Sequence, residues 1–275
     1  MSRLSRSISA EWRKVRSTKL WWILAIVLAA YSAMMAAVFA FMFGTLAADM
    51  GGVALPAREA AELVYSSVST FGYVIPLLFG ALMATGELRH RTLALTFTLE
   101  PRRGVVLSGK VIVLLLMGLV LGLAGVLGAV AAGGAVFAAT GGDAALAEPA
   151  IWALIARILG AIAIWAVIGF GVGLLVRNQA FAIVLTLVFT QFVEPVLRMA
   201  AGFWDWSAQL AKFLPGAASD SFVGASVMNS MSAVDPTMPE SAQPLGIWGG
   251  LAVLIAYAVV TVFLGWLTRW RADVN

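Results

Sequence analysis

The run Gly104-Val105-Val106-Leu107-Ser108-Gly109-Lys110-Val111 comes within one residue of the phosphate-binding pattern G-x-x-x-x-G-K-[ST]. In that pattern backbone N–H groups cradle phosphates and the last hydroxyl holds magnesium. Val111 has no hydroxyl, and the run opens an apolar stretch instead of following a strand. The match reads as chance, so no nucleotide site is assigned to this chain. His90 is the only histidine and there is no cysteine. A histidine metal site, thiolate ligands, a cysteine nucleophile and disulfides are therefore not expected. Intramembrane proteolysis and metal-dependent hydrolysis lack their residues, so no catalytic or metal site is assigned. Three charges do stand in apolar surroundings: Arg157, Glu194 and Arg198. Such a group costs about 2.5–3.5 kcal/mol at the centre of a span and normally has a reason. Arg157 and Glu194 lie at similar depth, about 9 Å from the same end of their spans at 1.5 Å per residue. They are expected to pair, with Arg198 one turn from Glu194 able to share it. The group is either a polar element of an outer gate or substrate path, or a structural tie between helices. Three charges are too few for a proton relay.

The elements that carry these residues follow from composition. Of 275 residues 61% are hydrophobic and 12% charged, against about 45–50% and about 25% in a soluble domain. A helix crosses the hydrocarbon with about 20 residues. Six runs qualify: Leu20 to Phe43, Val64 to Thr85 with a kink at Pro76, Lys110 to Ala139, Ile151 to Val176, Ala180 to Ala200 and Ile247 to Leu267. The third is longer than a bilayer needs, so it must tilt, break or project. Pro149 suits the first turn of the fourth. Eight of the ten tryptophans fall near span ends, as expected for headgroup-level rings, and Trp165 is deep within the fourth span. The fold class is an all-α integral membrane protein in one domain, residues 1–275, with six transmembrane helices.

Charge sets the orientation. Fourteen of the eighteen Lys and Arg residues lie in the N-terminal segment, the loop after span two, the turn after span four and the C-terminal tail. By the positive-inside rule both termini are cytoplasmic. The opposite side carries the 201–246 segment, read as extracellular, with helical stretches at Phe203–Phe213 and Ala217–Met231 and no folded ectodomain. In residues 1–19, Leu4, Ile8, Trp12 and Val15 share one helical face, with Arg6, Arg13, Lys14 and Arg16 mostly elsewhere. This predicts an amphipathic surface helix facing anionic headgroups, with a purely topogenic basic cluster as the alternative. Gly118 and Gly122, and Gly169 and Gly173, stand four apart and suit close packing, within the chain or in a dimer.

The 86–110 segment is the most specific. It reads Thr85-Gly86-Glu87-Leu88-Arg89-His90-Arg91-Thr92, then apolar Leu93 to Leu99, then Glu100-Pro101-Arg102-Arg103, and ends at Ser108-Gly109-Lys110. An acid leaving span two, a basic pair, a Thr-led apolar stretch, Pro-Arg-Arg and Gly-Lys together resemble the permease subunits of bacterial type-2 ATP-binding-cassette (ABC) exporters. The Glu11-Trp12-Arg13-Lys14-Val15-Arg16-Ser17 run is similar to that family's surface helix, and Phe213-Leu214-Pro215-Gly216-Ala217 resembles its segment between spans five and six. The resemblance implies that the loop after span two couples to a separate ATPase through Glu87, Arg89, Arg91, Leu95, Phe97, Pro101, Arg102 and Arg103. An apolar anchor in a charged rim suits docking.

The resemblance further implies two ABC ATPase subunits that bind the ATP and magnesium, and a second permease, identical or sister. It implies a substrate path along the dimer interface lined mainly by spans two and five, and a multi-pass place in the bacterial cytoplasmic membrane. No cofactor in this chain and no nucleic-acid partner are expected. Hydrophobic or amphipathic drugs, antibiotics, peptides or lipids fit an apolar pathway. Multidrug resistance or self-immunity fits by family analogy alone. An ion-gradient-driven transporter and a non-transporting scaffold are the alternatives.

Overall fold

A computed structural model describes residues 2–43, 55–89, 100, 102–176, 178–201, 205–225 and 244–270. Among them there are helices and no strands. The helices are α1 (Arg3–Ser17), α2 (Leu20–Phe41), α3 (Ala57–Thr70), α4 (Val74–Arg89), α5 (Arg103–Thr140), α6 (Pro149–Leu175), α7 (Gln179–Val188), α8 (Glu194–Ala201), α9 (Asp205–Ala211), α10 (Pro215–Val223) and α11 (Gly246–Gly265). A π-helical segment, Phe189–Val193, joins α7 to α8, and another, Trp266–Trp270, continues α11.

Six helical stretches are long and apolar enough to cross a membrane, matching the six expected runs. Local chemistry explains the boundaries. Asn178 caps α7 by accepting from the Ala180 and Phe181 N–H groups, and Pro149 sits in the first turn of α6. Gly141 closes α5 at φ 75°, a left-handed geometry that suits glycine. The second span starts earlier than expected, at Ala57, and breaks at Phe71–Tyr73. That break is one turn before Pro76, which has no N–H for the Gly72 carbonyl and whose ring crowds it.

The third span is an unbroken helix of 38 residues, about 57 Å at 1.5 Å per residue. It begins at Arg103, inside the segment expected as loop, and is about twice as long as the crossing needs. α2 lies along its second half, and α1 packs against its first. The packing core is α4 against α6, flanked by α5 and α11. Close approach is bought by glycine: a Cβ on Gly169 would stand 1.9 Å from the Leu77 carbonyl oxygen, and one on Gly118 2.6 Å from Ala163 Cα. Both glycine pairs thus serve packing within the chain, α6 on α4 and α5 on α6. The second and fourth spans are the most enclosed, with 78% and 72% of their apolar windows buried. The first, fifth and sixth are each 22% buried and present apolar side chains outward, such as Val38, Phe192 and Val259.

Candidate functional site

Two buried polar clusters stand apart in this bundle, one at the end that carries α1 and one about midway along the second and fourth spans. The first joins three elements. Lys110, seven residues into α5, reaches Glu11 of α1 at 2.7 Å and also Glu87 of α4. Lys14 lies 2.8 Å from Glu11 and 3.4 Å from Glu87. Glu11 and Lys110 are 3% and 4% exposed. Two ammonium groups and two carboxylates in contact balance one another, which is the condition for burying them. Burial works against the Lys14 charge, but the Glu87 and Glu11 carboxylates outweigh it and hold its pKa above the ordinary value. Its contribution to the docking of α1 is therefore complete below that value and is lost only as pH rises through the raised one.

The contact continues along both helices. Arg3 lies 3.8 Å from Glu100, the Ser7 hydroxyl donates to the Val105 carbonyl at 3.4 Å, and Val15 is buried with Val113, Leu114 and Met117. The contacts advance together from Arg3 to Val15 and from Glu100 to Leu114, so α1 follows α5. Its apolar face, Ile8, Trp12 and Val15, packs on the protein itself, while Arg3, Arg6, Arg13 and Arg16 are exposed. Arg13 bonds back to the Ser9 carbonyl at 3.2 Å.

Of the residues expected to couple to an ATPase, Glu87 lies in the cluster, Arg89 ends α4, Arg103 begins α5, and Arg102 is exposed between Glu100 and α5. Arg91, Leu95, Phe97 and Pro101 lie outside the described residues. The expected 86–110 loop is shorter than its sequence suggested: residues 86–89 belong to α4 and 103–110 to α5. The phosphate-loop look-alike is accordingly the first two turns of a helix and not a loop wrapped around a phosphate.

The second cluster is built around α10. This short helix is almost wholly buried, packed against α3, α6 and α11. It lies within the stretch expected as an extracellular segment. Glu194, 1% exposed, accepts from the Gly216 N–H at the start of α10, where helix amides are unpaired and the dipole favours an anion. The Tyr73 hydroxyl stands 3.4 Å from Glu194 and 3.2 Å from the Thr190 carbonyl. Asp220 of α10 takes Arg198 at 2.7 Å and the Thr70 hydroxyl at 3.1 Å. Trp165 donates to Ser219 at 3.1 Å and stacks on Tyr73 with ring centroids 4.4 Å apart. This gives the deep tryptophan its reason, since a buried indole N–H needs an acceptor.

The expected Arg157–Glu194 pair does not form. Glu194 is taken by Gly216 and Tyr73, and Arg198 goes to Asp220. Arg157 instead lies beside Gly224, where an added Cβ would be 3.3 Å from its Nη1, and its Nε has no partner. Equal depth placed the two residues at one level but said nothing of which way each helix face turns. Asp220, Tyr73 and Thr70 were not singled out from sequence, and Glu11 and Lys110 stood in quoted motifs without being expected to meet. The signal for α10 was present in Leu214 to Val223, a stretch with a single charge between two spans.

No group of three or more metal-ligating side chains occurs among the described residues. No curated protein matches the chain. The family model described as ABC-2 family transporter protein matches residues 7–193, from α1 through the π-helical segment, and so takes in the whole Glu11–Lys14–Glu87–Lys110 cluster. Six membrane-crossing helices, a phosphate-loop look-alike locked in a helix and a match over two thirds of the sequence agree, and the chain belongs to the ABC-2 family of transporter proteins.

Proposed function

We propose that this chain is the permease of an ATP-driven exporter, placed in a bacterial cytoplasmic membrane with both termini inside. Two copies, or this chain and a sister, recruit two ATPase subunits that bind the ATP and magnesium. The observation that carries the reading is the family match spanning most of α1, the 90–102 segment, four of the six crossings and most of the fifth. The arginine and lysine bias supports the orientation. In this reading the 90–102 segment is the ATPase-docking element, with Leu95 and Phe97 as apolar anchors among Arg89, Arg91, Arg102 and Arg103. The outward apolar face of the fifth span suits a partner permease or lipid. The second span is enclosed by its own chain, so a substrate path along it requires α3 and α4 to part from their neighbours. An apolar path favours hydrophobic or amphipathic cargo.

The test is co-elution in detergent with a candidate ABC ATPase. Wild type is expected to carry the ATPase, and Leu95→Asp with Phe97→Asp to lose it while retaining its own elution volume. Equal retention by both would remove the docking assignment.

A further inference from the structure

We propose that Lys110 is a positioning residue: with Glu11 and Glu87 it forms an ionic clasp that fixes both ends of the 90–102 segment against α1. This rests on the exporter reading, and deepens it by naming what holds the docking element in one orientation.

Three observations carry it. First, Lys110 does not behave as a topogenic lysine. Such a side chain extends its ammonium to water or headgroups. Lys110 is 4% exposed and turned inward between two carboxylates on two other helices. Second, its partners bracket the segment. Glu87 is two residues from the end of α4 and Lys110 is seven beyond the start of α5, so their contact ties together the two helices that flank the segment. Third, α1 lies on that junction along its length: Arg3 near Glu100, Ser7 against Val105, Glu11 on Lys110. A Cβ on Gly109 would stand 2.4 Å from the Ser7 hydroxyl, so the two helices touch here.

The clasp is thus the point where two rigid helices and the N-terminal helix meet in one buried, charge-balanced contact. A push on the docking segment is delivered to α4 and α5 together, and α1 is a strut. Without the clasp the two ends of the segment move independently, and docking bears the cost of ordering them.

The absence of native cysteine permits spin labels at Ser9→Cys on α1 and Gly104→Cys at the start of α5, both exposed. The distance distribution between them is measured in nanodiscs, alongside affinity for the ATPase. Wild type is expected to give one narrow distribution. Lys110→Met broadens it and weakens ATPase binding about tenfold through lost preorganisation, whereas Lys110→Arg keeps both. If Lys110→Met fails to fold, Glu11→Gln removes the charge on α1 and leaves the Glu87–Lys110 pair; it too is expected to broaden the distribution. Unchanged width and affinity in a folded Lys110→Met, or in Glu11→Gln where that stands in for it, overturn the clasp and leave the exporter reading intact. A wild type that binds no ATPase overturns the exporter reading and the docking role of the clasp with it.

Discussion

Arg198 and Asp220 meet where neither charge could stand alone: their side chains are 14% and 2% exposed, and the ions are 2.7 Å apart. Removing one partner leaves the other uncompensated, which in buried pairs costs about 3–5 kcal/mol. Arg198→Met is therefore expected to lower thermal stability in detergent by that order, with Arg198→Met plus Asp220→Asn recovering much of it. A double variant no better than the single would mean that the pair does not act as a unit. Trp165→Phe keeps the stacking on Tyr73 and loses the bond to Ser219. The stranded hydroxyl should cost about 1–3 kcal/mol. That these residues matter was only partly legible. A charge in an apolar run is visible in sequence because its type is rare there. Its partner is not visible, because depth along a helix is read by counting while azimuth depends on packing. Arg157 and Glu194 shared a depth and still did not meet: α10 brings the Gly216 N–H to Glu194, and its Asp220 to Arg198.

At the level of elements, the apolar runs were plain because length and hydropathy are properties of the chain itself. The helix of α10 was expected in part, within Ala217–Met231, but its burial was not, because a nine-residue helix holding two serines and an aspartate has the composition of a surface element, and its burial depends on Thr70, Trp165, Glu194 and Arg198 answering its polar groups. The start of α5 was misplaced for a related reason. Arg102, Arg103 and Gly104 read as loop, and only contact with α1 shows that Val105 and Val106 continue a helix. The α4–α6 interface yields a clean test. Gly169 and Gly173 face the Leu77 and Ala81 carbonyl oxygens at 1.9 and 2.6 Å from a built Cβ, and Gly86 faces nothing within 4 Å. Gly169→Ala is expected to destabilise by about 1–3 kcal/mol through overpacking, and Gly86→Ala to be near neutral. Thermal unfolding of the two in the same detergent decides it, and equal midpoints would contradict the packing.

For the whole molecule, a charge-biased end, where α1, α4 and α5 are clasped, is separate from a second polar cluster that α10 forms midway along the second and fourth spans. Orientation can be read on a chain without native cysteine. A membrane-impermeant maleimide on intact cells should label Trp152→Cys and Leu210→Cys, both exposed, and reach Ser9→Cys only after permeabilisation. Labelling in the reverse pattern would invert the topology. That this chain works with a borrowed motor is tested by native mass spectrometry of the chain co-expressed with a candidate ABC ATPase. The account predicts a complex of two permease chains and two ATPase chains. A permease that appears alone or only with itself, under conditions where the ATPase is folded and present, would contradict it.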